Sequence, residues 1–357
     1  MWVDRTDPVN RDGLTALVDC QPRAALAHLP TPLERHGDLL VKRDDQTGLA
    51  FGGSKLRALE FFVGEALRRR AKVLVVVGSP QSNFCRLTAA VAARQGLQCR
   101  LLIVGNARDG HDLSGNRWLS SLFGAELIPV DSASARETIS DYLSQLQRDG
   151  VPFYFIEGGG HAPEALWGYL QASVELLTQL GTVGTMPDRL FVACGRGTTY
   201  AGFLLGLRLL DCPIPITGVS VARDQNRCRS EIHDVIDRFC RQYGLKNPVV
   251  ESDIWIDDRW IGPGYDAVPP ERWRIIVGQA RRRGLLLDPI YTSRAMQAVL
   301  ESVHRAACRT ALFIHTGGLP GLFDVRLAGG LESIAEKNSL PVASAGNSQG
   351  PEHEDEN

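Results

Sequence analysis

The 357-residue sequence is short of several features that would define a protein class outright. Its eight cysteines, at positions 20, 85, 99, 194, 212, 228, 240 and 308, are scattered with no Cys-x-x-Cys unit. Neither a disulfide framework nor a structural zinc site is indicated, and no metal is expected. Charge of one sign is also missing: 39 basic against 41 acidic residues leave a net charge of -2, which gives no basic footprint for a nucleic-acid backbone. The runs Arg68-Arg69-Arg70 and Arg281-Arg282-Arg283 read as solvated helix faces. No apolar run reaches the length of a membrane span, so no membrane partner is expected. The opening Met1-Trp2-Val3-Asp4-Arg5 lacks the basic-then-apolar layout of a secretory signal, so the expected location is cytoplasmic. Residues 338 to 357 are small, polar and finally acidic, too poor in apolar groups to repay ordering, and predict a disordered tail.

What is present is the material for a large core: 44% hydrophobic and 22% charged residues suit one large unit or two lobes. Pro30 and Pro32 deny a helix to Leu26–Glu34 and predict an extended segment wrapping a domain surface. Short apolar runs then alternate with helical patterns. Leu39–Lys42, Val73–Val77, Leu101–Val104, Leu127–Val130 and Phe153–Ile156 read as strands, with helices from about Asn83 to Gln95 and near Trp118–Leu122. A second set runs through Leu190–Ala193, Ile216–Val221 and Ala311–Ile314. This pattern predicts an α/β fold of two open, mainly parallel sheet lobes. The expected division gives residues 1–57 and 166–337 to a large lobe and 58–165 to a small one.

One lysine stands directly behind two glycines and directly before a helical pattern, in Gly52-Gly53-Ser54-Lys55. An amine presented by a tight glycine turn suits covalent bonding to a carbonyl cofactor such as pyridoxal phosphate, although a solvated lysine at a helix start has the same local pattern. Farther on, Cys194-Gly195-Arg196-Gly197-Thr198-Thr199 follows a strand and opens a helix, where backbone N–H groups and two hydroxyls can meet a phosphate. A plain glycine turn capped by Thr198 is the alternative. A dinucleotide fingerprint is a weaker one, because Tyr200 occupies the place of the third glycine, although Asp224 could imitate the ribose-binding acid. No Gly-Lys-Ser or Gly-Lys-Thr follows these glycines, which argues against a nucleotide P-loop. Two further turns, Gly78–Asn83 and His315–Gly318, end predicted strands, where ligands of open α/β sheets collect; capping by Asn83 and a glycine turn would account for them equally.

Taken together, six ordered blocks resemble the fold-type II pyridoxal-phosphate enzymes, in the group of 1-aminocyclopropane-1-carboxylate deaminase and D-cysteine desulfhydrase. They are Leu29–Pro32 read with Lys42–Asp45, Gly52–Lys55, Gln81–Asn83, Gly262–Tyr265, Leu287–Thr292 and His315–Gly318. The resemblance covers about residues 25 to 325. It implies pyridoxal 5'-phosphate in the cleft between the lobes, a small amino-acid substrate, a homodimer, and β-elimination or deamination to a 2-oxo acid and ammonia. It makes Lys55 the lysine bonded to the cofactor, Asn83 the partner of the cofactor's phenolic oxygen, and Gly195, Gly197, Thr198 and Thr199 the phosphate cup. Ser82 faces the substrate carboxylate, Tyr291 is a candidate acid or base, and Tyr265 lines the pocket. Thr316 or Thr292 is left for the ring nitrogen, since Thr292 stands where the deaminase branch has a glutamate. β-Replacement by an added nucleophile and a catalytically idle binding protein are the rival readings.

Several positions depart from the family pattern: Ser54 replaces an asparagine, Ala58 a lysine, Phe84 a polar residue and Arg196 a small one. The Gly158–His161 turn also lacks the usual serine and asparagine. Ala58 lies one helical turn beyond Lys55, and Phe84 adds an apolar ring to the substrate side. The two predict a less polar or bulkier β-substituent than those of 1-aminocyclopropane-1-carboxylate and D-cysteine.

Overall fold

The long apolar runs become central strands because both of their faces are covered by helices, the arrangement that parallel sheets require. In the computed structural model, which describes residues 10–105, 114–262, 264 and 268–324, the chain opens with α1 (Arg11–Asp19). Asn10 caps that helix through Oδ1, which accepts from Gly13 N at 2.7 Å. The hairpin β1 (Leu33–His36) and β2 (Leu39–Lys42) follows, then α2 (Lys55–Arg68), β3 (Val73–Gly78), α3 (Asn83–Gln95) and β4 (Gln98–Gly105). Next come α4 (Gly115–Leu122), β5 (Glu126–Asp131), α5 (Ala135–Arg148), β6 (Phe153–Ile156) and α6 (Leu166–Val183). The remainder is β7 (Arg189–Cys194), α7 (Thr198–Leu209), β8 (Ile216–Ser220), α8 (Gln225–Tyr243), β9 (Trp255–Asp257), α9 (Pro270–Arg283), α10 (Thr292–His304) and β10 (Ala311–Ile314).

The strands form two sheets, a four-stranded one in the order β5-β4-β3-β6 and a six-stranded one in the order β1-β2-β10-β7-β8-β9. Every pair is parallel except β1 with β2. This is the α/β fold of two open, mainly parallel sheets that the sequence predicts. The Leu26–Glu34 segment differs from expectation. It does not simply wrap the surface: Leu26 and Thr31 are buried, and Leu33 and Glu34 pair with Lys42 and Val41. The expected tail at 338–357 lies outside the described residues.

The largest core cluster joins α2, α3, α6, α7 and α8 to the sheets. Helices α6 and α7 approach closely because Gly202 lies against Tyr169 and Gly206 against Ser173, where a Cβ on either glycine would collide. Parallel strands bring their C-terminal ends to the same side. The turns after β3, β6, β7, β8 and β10, together with the start of α2, thereby meet around one cleft.

Candidate active site

Lys55 reaches this cleft through a backbone that only glycine permits. Gly52 and Gly53 have φ of +62° and +127°, and a Cβ on Gly52 would strike the Asp45 carbonyl. Thr47 Oγ1 fixes the turn by accepting from Gly53 N at 2.8 Å and donating to Gly53 O at 3.0 Å. Arg86 donates to the carbonyls of Ala50 and Gly52 from the other side. The amine of Lys55 then donates to Thr199 Oγ1 at 2.9 Å, inside a cavity of about 500 Å³.

Behind the lysine lies a buried ionic network. Arg57 donates to both oxygens of Asp44 and of Glu175, Lys42 pairs with Glu175, and Thr31 Oγ1 donates to Asp44 Oδ1 at 2.8 Å. Lys42, Asp44 and Arg57 are fully buried. Burial pushes the Glu175 carboxyl up, but Arg57 and Lys42 outweigh it and hold the group below its ordinary range. The network ties β2 and α6 to the first turns of α2, which carries Lys55.

The opposite wall is the turn at the start of α7. Gly197 takes φ of +84° against Ile232, and the first N–H groups of α7 point out of the helix without intrahelical partners. Thr198 does not cap this helix; the N-cap is Gly197, and Thr198 Oγ1 lies 2.8 Å from His161 Nδ1. Burial, reinforced by the Arg196 cation, pushes His161 down to about 4, so it is neutral at physiological pH. The dinucleotide alternative loses its acid: Asp224 is the N-cap of α8 and accepts from Arg227 N at 2.9 Å.

On the β3 side, Ser82 caps α3 through Oγ, which accepts from Cys85 N at 3.2 Å. Asn116 donates to Asn83 Oδ1 at 2.9 Å and to Gln81 O at 2.9 Å, so the Asn83 carbonyl oxygen is engaged and its NH₂ is the end left to donate. Tyr291 enters from the start of α10. Buried Asp288 accepts from the backbone N–H groups of Ile290, Tyr291 and Thr292 and from Thr292 Oγ1, which fixes where the Tyr291 ring begins. The ring lies 3.5 Å from the position a Cβ on Gly195 would take.

Lys55, Ser82, Asn83, Phe84, Gly195, Thr198, Thr199, Tyr291 and Thr316 all line the same cavity, and Gly197 shapes its wall from behind. Tyr265 lies outside the described residues. Thr292 does not line the cavity, because its hydroxyl is spent on Asp288, whereas Thr316 does. Ala58 is 1% exposed and is not among the residues that line the cavity, and its backbone lies against Gly168 on α6, so its missing cation does not bear on the pocket. Phe84 borders the cavity but is 5% exposed, its ring against Gly160 and edge-on to Phe62. Sequence reasoning gave no role to Asp288, Asn116, Glu175 or Arg223.

A pyridoxal-phosphate family model, described as "Pyridoxal-phosphate dependent enzyme", matches residues 23–317. D-cysteine desulfhydrase of Yersinia enterocolitica is 34% identical over 318 residues, 85% of this chain and 95% of the relative. That of Salmonella choleraesuis is 33% identical over 317 residues, with the same coverage. A solved "ACC deaminase homologue" superposes with a TM-score of 0.81 at 30% identity, covering 90% of this chain and 98% of that one. The chain belongs to the pyridoxal-phosphate-dependent enzyme family, in the group its motifs resemble. It is an eliminating and deaminating enzyme of this kind, with pyridoxal phosphate as its cofactor. The cavity suits that group on chemical grounds: an amine, a helix N-terminus carrying two hydroxyls, and a buried Ser54 Oγ that has no partner among the described residues.

Proposed function

We propose that the cavity binds a small amino acid over pyridoxal phosphate held by Lys55, Asn83, Thr316 and the Gly195–Thr199 turn, and releases a 2-oxo acid and ammonia. The observation that carries these assignments is the convergence of Lys55, Asn83, Tyr291 and the α7 N-terminus on one cavity. Bound there, the cofactor supplies an electron sink for the bond broken at the α-carbon. The chain's own groups do the rest. The α7 amides and the Thr198 and Thr199 hydroxyls hold the phosphate, and neutral His161 fixes Thr198 without adding a charge. Asn83 donates to the phenolic oxygen, Thr316 offers a neutral hydroxyl to the ring nitrogen, and Ser82 meets the substrate carboxylate. Lys55 and Tyr291 move protons at the reacting carbons.

The finer features go with this reading: a homodimer in the cytoplasm, with residues 58–165 as the small lobe. Among the described residues no helix is long and apolar enough to cross a membrane. The deciding experiment is borohydride reduction followed by peptide mass mapping, which should fix the cofactor's mass on Lys55, while Lys55→Ala should lose both labelling and 2-oxo acid release. Label on a different lysine overturns the assignment. An assay with added thiols separates elimination from replacement, since a thioether product would mark the latter.

A further inference from the structure

The cavity wall is unbalanced in charge. Among the described residues Lys55, Arg196 and Arg223 line it, and no carboxylate side chain does. Just behind, one carboxylate serves three guanidiniums: Glu231 lies 3.2 Å from Arg223 Nε, 3.1 Å from Arg227 Nε and 3.6 Å from Arg196 Nε. The cluster therefore keeps a surplus of positive charge beside the pocket.

The two lining arginines face different neighbours. Arg196 reaches across to Gly158 O at 3.1 Å, in the turn after β6, and its side chain is 42% exposed. Arg223 is more enclosed, at 22%, and donates through Nη1 to Gly195 O at 3.1 Å. Ser220 Oγ anchors its backbone, accepting from Arg223 N at 3.2 Å and donating to Arg223 O at 2.5 Å. Gly195 opens the α7 turn and is also the residue beside which the Tyr291 ring stands, so Arg223 is held where that turn meets Tyr291. A positioned guanidinium with donors to spare suits an oxyanion.

We propose that Arg223 is a specificity-determining residue that reads an oxyanion, a sulfonate or a phosphate or sulfate ester, on the β-carbon of the amino-acid substrate. The proposal rests on the functional reading above. Elimination of such a substrate breaks the Cα–H and Cβ–X bonds. X leaves as an oxyanion with the bonding pair, and water releases the remaining carbon skeleton as a 2-oxo acid and ammonia. Arg223 would bind X in the ground state and receive its growing charge as it leaves.

The test compares kcat/KM of the holoenzyme for cysteate, O-phosphoserine and O-sulfoserine against the neutral serine and β-chloroalanine, in both configurations. The three anions distinguish sulfonate from phosphate and sulfate esters. The expected result is that at least one anionic substrate exceeds the best neutral one, and that Arg223→Gln lowers this anionic-to-neutral ratio about tenfold to a hundredfold, with partial recovery in Arg223→Lys. Calorimetric binding of 3-sulfopropanoate, which carries both anions but no amine, should weaken in parallel. Arg227→Gln removes a guanidinium from the same carboxylate outside the cavity wall and should leave the ratio in place. The proposal is overturned if neutral substrates are preferred by the unmodified enzyme. It is overturned equally if Arg223→Gln weakens cofactor affinity and lowers all substrates together, which would give the guanidinium to the cofactor phosphate. Borohydride label on Lys55 with no anionic preference would sink this inference alone; label elsewhere would sink the reading beneath it.

Discussion

Replacing Glu175 by glutamine tests whether the buried ionic network supports the fold and the lysine above it. Glu175 is the shared acceptor of Arg57, Lys42 and Thr31, so Glu175→Gln leaves two fully buried cations with Asp44 as the one carboxylate between them. Removing one partner of a buried pair costs about 3 to 5 kcal/mol, mostly because the remaining charge stays desolvated. For a chain of this size that corresponds to a fall in Tm of roughly 4 to 7 °C. Scanning calorimetry at pH 7.5 with saturating cofactor provides the measurement. The sign with pH follows from the depressed Glu175 carboxyl. Its stabilisation is complete above the unfolded value of 4.5 and is lost as pH falls through the folded value below it. The gap between wild type and variant should therefore be full at pH 6 to 7.5 and close on acidification below about 4.5. A Tm change within about 2 °C at neutral pH, or a gap that does not narrow in acid, would refute the reasoning. A double variant, Lys42→Met with Glu175→Gln, should cost less than the sum of its parts because it removes a stranded charge along with its partner.

The parts of this molecule that were legible in the sequence are those whose cause is local. Gly52 and Gly53 announce themselves because left-handed backbone and close approach exclude other residues, and the helix they precede begins with Lys55. The apolar runs gave the strands because parallel strands covered on both faces need little alternation. Long-range partners were not legible. Glu175 sits in mid-helix, with nothing near it in sequence to show that it meets Lys42, 133 positions away. Asn116 likewise reaches Asn83 only through the packing of α4 on α3. Ala58 shows why helical spacing misleads at a helix start. Lys55 reaches into the cavity by its long side chain, while Ala58, one turn later, is buried where the α2 backbone meets Gly168 of α6. Asp288 could have been found, since an aspartate two to four residues before exposed N–H groups at a helix start is a capping signal.

Two further substitutions separate cofactor binding from chemistry. Thr198→Ala removes a hydroxyl from the α7 turn and strands His161 Nδ1, so cofactor affinity should fall about tenfold in a spectrophotometric titration while kcat at saturation changes little; an unchanged affinity would place the phosphate elsewhere. Tyr291→Phe should do the reverse. The backbone N–H of residue 291 still donates to Asp288, and the ring still packs beside Gly195, so the cofactor should bind as before. What is lost is the phenolic O–H that the proposed mechanism uses at the reacting carbons. A positioned acid or base contributes about a hundredfold to ten-thousandfold, so kcat should drop at least a hundredfold with KM little altered. Because the drop would come from a proton transfer, it should be accompanied by a changed pH profile of kcat, which a change in packing would not produce. Retained kcat with an unchanged profile would make Tyr291 a packing residue and leave Lys55 to carry the proton transfers alone.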